Sequence, residues 1–234
     1  MPQPARPSRL DVYRSILDSG VLPLFSTGEV EVATVVAEAC ERAGIAALEF
    51  TNRGDRAPQV FAELVTRLRE RGSRLIVGAG SIIDAPTAAW FVAAGAEFVV
   101  GPTFDAGVAT FCNRRKVAYI PGCGSATEIG VAEAHGAEIV KLFPAGALGG
   151  PQFISAILGP SPWSRIMPTG GVEATAASVT EWIGAGAACL GIGSQLIGRS
   201  VLVDRDVDWL ETRARGLLDW IVTARRAASS DPTG

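Results

Sequence analysis

The sequence predicts an α/β protein made of one repeated unit, and three observations carry that expectation. Eight short runs rich in Val, Ile, Leu and Phe recur along the 234 residues, each ending in small or polar side chains. Their starts are spaced regularly, from 20 residues (Phe98 to Ala118) to 28 (Ala46 to Arg74). Between them the apolar spacing changes to a helical period. Runs this short and without alternation fit strands buried on both faces, as in parallel sheets. Eight strand–helix units in one chain of this length suit a single-domain (β/α)8 barrel, the TIM barrel, with one extra N-terminal helix.

The elements follow in order. Residues 1–7 (Met1-Pro2-Gln3-Pro4-Ala5-Arg6-Pro7) lack an apolar signal core and read as a flexible lead-in. The barrel domain is expected over residues 8–228, opening with the extra helix Ser8–Ser19, and residues 229–234 as a flexible tail. The first strand is Val21–Ser26, followed by a helix over Glu29–Ala43 that Gly44 closes, glycine being suited to a left-handed helix end. Strand Ala46–Thr51 precedes helix Ala57–Arg71 and Gly72. Strand Arg74–Gly80 precedes helix Ala85–Ala94 and Gly95. The fourth unit is Phe98–Pro102 with Ala106–Arg115, and the fifth Ala118–Cys123 with Ala126–His135 and Gly136. The last three pair Ile139–Ala145 with Pro151–Leu158, Arg165–Gly171 with Ala174–Gly184, and Ala188–Ser194 with about Val207–Arg226.

Composition removes several function classes. Apolar residues make up 48% and charged residues 19%, which is globular rather than disordered. A net charge of -3 offers no phosphate-binding surface for nucleic acid. The one basic cluster, Arg114-Arg115-Lys116, reads as a solvated helix end. Cys40, Cys112, Cys123 and Cys189 have no C-x-x-C spacing and read as reduced thiols. His135 is the only histidine, which excludes a His-rich metal centre and any Ser-His-Asp triad that cannot use it. No run approaches the roughly 20 apolar residues of a membrane span. The expectation is a cytoplasmic enzyme with neither a nucleic-acid nor a membrane partner.

Catalytic groups of such barrels lie at the C-terminal ends of the strands. The chain has two lysines against nineteen arginines, and one of them, Lys141, stands inside Ile139-Val140-Lys141-Leu142-Phe143-Pro144 near such an end. A desolvated amine there has a lowered pKa and is nucleophilic toward a ketone; the plainer alternative is a lysine reaching solvent or paired with Glu138. Lys116 precedes a strand, at the wrong end for catalysis, and reads as a surface residue. Glu49 sits in the apolar stretch Ala46–Phe50, where an unpaired charge is costly. By the strand period it shares a face with Thr51 and Arg53. It is either ion-paired to Arg53 or a general acid/base beside Lys141. Gly170-Gly171 and Gly191-Ile192-Gly193-Ser194 end the last two strands, where glycine-rich turns leading into helix N-termini offer backbone N–H groups to a phosphate. Gly78-Ala79-Gly80-Ser81 lacks the third glycine of a dinucleotide fingerprint.

Together these strand ends resemble the 2-keto-3-deoxy-6-phosphogluconate (KDPG) aldolases and their relatives acting on 4-hydroxy-2-oxoglutarate (KHG). The motifs are Glu49-x-Thr51-x-Arg53, Gly78-Ala79-Gly80-Ser81, Pro121-Gly122, Lys141-x-Phe143-Pro144-Ala145, Pro168-Thr169-Gly170-Gly171 and Gly191-x-Gly193-Ser194. The resemblance implies a class I aldolase without metal or cofactor, a homotrimer, acting on a small 2-keto acid to give pyruvate and an aldehyde. It implies Lys141 as the imine-forming lysine and Glu49 as the proton shuttle. Arg53 and Ser81 match positions that hold the substrate carboxylate, and Phe143 and Pro102 match pocket walls. Gly170, Gly171 and Ser194 match the phosphate turn, with Thr51, Thr169 and Gly193 completing the substrate-binding set. Ser81 stands where Thr is more usual, and Gly101-Pro102-Thr103-Phe104 departs from the frequent Ser-Pro-Gly. The rivals are another phosphate-binding barrel, a lyase or isomerase using Lys141 as an electrostatic clamp, and a non-catalytic sugar-acid-binding relative.

Overall fold

The computed structural model describes residues 6–230. Ser8 and Asp11 form a capping box at the start of α1 (Arg9–Ser19), and Gly20, at φ 74°, closes it. The units that follow are β1 (Val21–Phe25) and α2 (Val30–Arg42), β2 (Ala47–Thr51) and α3 (Ala57–Glu70), β3 (Ile76–Gly80) and α4 (Ala85–Ala94). Then come β4 (Phe98–Val100), α5 (Ala106–Arg115), β5 (Ala118–Ile120), β6 (Gly122–Cys123), α6 (Ala126–Ala134) and β7 (Val140–Leu142). A 3-10 turn (Ala145–Leu148) leads to α7 (Pro151–Leu158), β8 (Ile166–Pro168), α8 (Ala176–Gly184), β9 (Leu190–Ile192), α9 (Arg199–Leu202) and α10 (Val207–Ser230).

This is an α/β fold with ten α-helices among the described residues and strands paired only in parallel. A six-stranded sheet runs β5-β4-β3-β2-β1-β9, and a three-stranded sheet runs β6-β7-β8. The expected helices are present, most within two residues of their expected bounds, while the strands are shorter than the apolar runs. Proline explains much of the shortening, because it has no N–H to donate to a ladder. Pro121 splits one expected strand into β5 and β6, β4 stops before Gly101-Pro102, and β8 ends on Pro168. The 3-10 turn and α9 have no counterpart among the expected elements, and α10 runs four residues past its expected end. Residues 1–5 of the expected lead-in and 231–234 of the expected tail lie outside the described residues.

Both faces of the strands are buried, which is why the runs read as continuously apolar. One face packs against the helices through Leu48, Val77, Val99, Val140, Ile166 and Leu190. The other gathers Leu22, Ala47, Ile76, Phe98, Ala118, Ile139, Met167 and Cys189, with Val12, Tyr13 and Ile16 of α1 closing its N-terminal end. The Tyr13 hydroxyl donates to Tyr119 O at 3.1 Å and accepts from Tyr119 N at 3.0 Å, locking α1 in place. Two residues further along each strand, the same parity brings Glu49 after Ala47, Lys141 after Ile139 and Thr169 after Met167. The chemistry therefore starts where this second core ends. All four cysteines are buried and unpaired. No helix among the described residues is long and apolar enough to cross a membrane.

Candidate active site

A cavity of about 330 Å³ opens over the C-terminal ends of the strands and is lined by Thr51, Arg53, Lys141, Phe143, Thr169, Gly170, Gly171, Gly193 and Ser194. Nine sequence-predicted site residues are thus brought together. Lys141 is 6% exposed, held between Gly122 of β6 and Met167 of β8 by the parallel ladder. Its Nζ lies 5.0 Å from the centroid of the Phe143 ring. Glu138, the alternative partner, is instead paired with Arg165 at 3.1 Å.

Glu49 is not on the wall of this cavity; it is fully buried, with neither carboxylate oxygen accepting a hydrogen bond. Burial pushes its pKa up, and the charges of Lys141 and Arg53 pull the other way without cancelling the shift. A carboxyl held this way exchanges protons closer to neutrality than an exposed one, which suits a general acid/base. No Arg53 ion pair with Glu49 forms; Arg53 is exposed at the mouth, its guanidinium open to a ligand.

The hydroxyls divide into two kinds. Thr51 Oγ1 donates to Phe25 O at 3.2 Å, tying β2 to β1. Thr169 Oγ1 is buried without a partner, sitting against Gly191, where a Cβ would overlap it. An orphan hydroxyl on a cavity wall costs stability unless a ligand completes it.

Gly170 and Gly171 adopt φ values of 82° and 92°, and Gly146 N donates to Gly170 O at 2.7 Å, bracing the turn with the segment after β7. Gly193 O accepts from Leu196 N and Ile197 N, each at 2.9 Å, folding the chain after β9 into a second turn. Among the described residues the N–H groups of Gly171, Gly193 and Ser194 donate no intramolecular hydrogen bond, so they remain available to an anion. The helices after these turns start close to the expected positions or ahead of them: α8 begins at Ala176 on the Thr175 cap, two residues past the expected Ala174, and the unexpected four-residue α9 opens at Arg199, ahead of the helix at Val207. Two successive positive-φ glycines reverse the chain before helical dihedrals can start.

Ser81 and Pro102, expected around the substrate, stand outside the lining. Ser81 takes φ 58° and reverses the chain directly after β3. Pro102 turns its carbonyl onto Gly122, at a site a Cβ would overlap. Sequence reasoning missed Ser26 and Gln195, both on the cavity; their places after the first and last strands were the available signal. In a larger cavity of about 870 Å³ near the N-terminal end of β3, Glu97 accepts from Val77 N and Arg6 donates to Val92 O. No group of three or more His, Cys, Asp or Glu side chains gathers to hold a metal among the described residues.

A family model described as KDPG and KHG aldolase matches residues 13–212. A 2-dehydro-3-deoxy-phosphogluconate aldolase of Pseudomonas aeruginosa is 33% identical over 89% of this chain and 92% of its own. The KHG/KDPG aldolase of Escherichia coli is 30% identical over 86% and 92%. Among solved structures, KDPG aldolase from Legionella pneumophila, with pyruvate captured as a covalent carbinolamine, superposes with TM-score 0.78 at 27% identity, covering 87% and 96%.

Proposed function

We infer from membership of the KDPG and KHG aldolase family, to which this chain belongs, that it is a Schiff-base aldolase cleaving a 2-keto acid to pyruvate and an aldehyde. The observation that carries the residue assignment is the buried Lys141 on the wall of a cavity, with the buried, unpartnered carboxyl of Glu49 near enough for the Lys141 charge to act on it. Lys141 Nζ adds to the C2 carbonyl, and the carbinolamine loses water to give a protonated imine. Glu49 takes the proton from the C4 hydroxyl as the C3–C4 bond breaks, and the bonding electrons flow into the imine to give an enamine. The aldehyde leaves; C3 is then protonated, and water releases pyruvate from Lys141. Arg53 is assigned to the substrate carboxylate as a bidentate fork. The free N–H groups of Gly171, Gly193 and Ser194 are assigned to the distal phosphate, and Thr169 Oγ1 to a substrate oxygen.

Closure of the two sheets into one eight-stranded barrel is supported by the Thr169–Gly191 bridge, by Ala188 N donating to Ile166 O at 2.9 Å, and by β5 and β6 flanking only Pro121. A homotrimer is what the family resemblance implies, and exposed apolar side chains such as Ile83 and Trp90 offer surface for contact between copies. We also assign one catalytic domain over residues 8–228 and a cytoplasmic location. The test of the central assignment is reductive trapping. Pyruvate plus borohydride is expected to add one covalent adduct at Lys141, absent in Lys141→Ala. An unmodified Lys141 in the wild type would remove the imine step and leave the electrostatic clamp.

A further inference from the structure

Gly80 ends β3 with ordinary strand dihedrals; it is absent from the glycines with positive φ. Nothing in the backbone therefore asks for glycine, which within a strand is destabilising by about 0.5–1 kcal/mol relative to alanine. Its neighbour on β2 gives the reason. Thr51 pairs with Gly80 and Glu49 with Gly78, so Glu49 starts two residues behind Gly80 and on the same face. The Glu49 side chain leans forward along the groove between the strands and lays its carboxylate over the Gly80 Cα. A Cβ on Gly80 would overlap Oε1 and stand 2.5 Å from Cδ and 2.7 Å from Cγ, separations below 3.0 Å that real Cβ atoms essentially never show. Glu49 has no exposed surface and no hydrogen bond holding either oxygen. Shape alone, with the fields of Lys141 and Arg53, keeps the carboxyl in place.

We propose that Gly80 is a positioning residue: its missing side chain is the socket that seats the Glu49 carboxylate beside Lys141. The inference rests on the aldolase reading for its kinetic consequence but not for its structural one. In Gly80→Ala the carboxyl is displaced by about 1 Å or more, a misplacement on the order of 100-fold in rate. Lys141 is untouched, so the borohydride-trapped pyruvate adduct persists while kcat for cleavage falls about 100-fold. In a Glu49→Gln background the same substitution is expected to lower kcat by no more than about twofold, because the group it acts through is already lost. Equal losses in both backgrounds, or wild-type turnover in Gly80→Ala, would overturn the proposal. A melting-temperature cycle gives a readout that needs no catalysis. Gly80→Ala lowers Tm when Glu49 is present, and leaves it unchanged or raised in Glu49→Ala, where the side chain beyond Cβ is gone. If Gly80→Ala fails to fold, recovery of folding in the double variant supports the socket, and failure there too overturns it. A wild type without adduct or turnover would refute the aldolase reading alone, while the Tm cycle would still decide the role of Gly80.

Discussion

Replacing Glu49 by glutamine makes the buried carboxyl's effect on stability measurable. In the folded chain its pKa lies above the ordinary value of 4.5, because burial disfavours the anion more than Lys141 and Arg53 favour it. Between the unfolded and folded values the native state holds a proton that the unfolded chain has released. Unfolding there releases a proton, so wild-type stability falls as pH rises, by about 1.4 kcal/mol per pH unit at 25 °C. Glutamine has nearly the same shape and does not titrate. The stability of Glu49→Gln relative to wild type should therefore be constant below about pH 4, increase through the interval above 4.5, and level off past the folded pKa. For a chain of this size that slope corresponds to about 3–6 °C in Tm per pH unit. Urea or thermal melts of both proteins from pH 3.5 to 8 read the difference directly, and any fixed offset from burying the amide cancels in the slope. The variant is also expected to lose aldol cleavage, leaving a protein less active and, at neutral pH, relatively more stable. A stability difference flat from pH 4 to 8 would show that Glu49 titrates normally, and the acid/base assignment would lose its physical basis.

Two further substitutions probe opposite ends of the strands. Ser194→Asp places a like charge at the free N–H groups of the last turn. At roughly 5 Å and an effective dielectric of 20 the repulsion is about 3 kcal/mol, reduced by solvent to about 1–2. The kcat/KM for phosphorylated substrates should fall about 5- to 30-fold, with little change for 4-hydroxy-2-oxoglutarate; equal losses on both would place the phosphate elsewhere. Arg225 of α10 donates to Leu17 O at 2.6 Å and to Asp18 O and Ala188 O at 2.9 Å each, clamping the last turn of α1 and the residues that lead into β9. Arg225→Met should lower stability by about 2–3 kcal/mol and leave kcat unchanged, since the contact is far from Lys141. An unaltered melting temperature would mean that solvent replaces those bonds without loss.

Much of this site is legible in the sequence. Strand parity puts Glu49, Thr51 and Arg53 on one face, and the near absence of lysine singles out Lys141; the first signal depends only on neighbours a few residues away and the second only on composition. The reversal at Gly170-Gly171 and the short helix α9 at Arg199–Leu202 were not legible, because two consecutive positive-φ glycines and a four-residue helix leave no apolar period in the sequence. Ser81 and Pro102 match the motif but are not among the residues lining the cavity.

The chain alone thus determined the α/β class, the order of its elements and the face on which Lys141 and Glu49 lie, since side-chain direction alternates along a strand wherever that strand is placed. Tertiary structure decided what surrounds those groups. That both Glu49 oxygens lack a partner, that Gly80 leaves room for them, and that Gln195 and Ser26 reach the same cavity depend on the register between strands and on packing across the sheets. Glu49 and Lys141 are 92 positions apart (141 − 49), and no local periodicity encodes the distance between them.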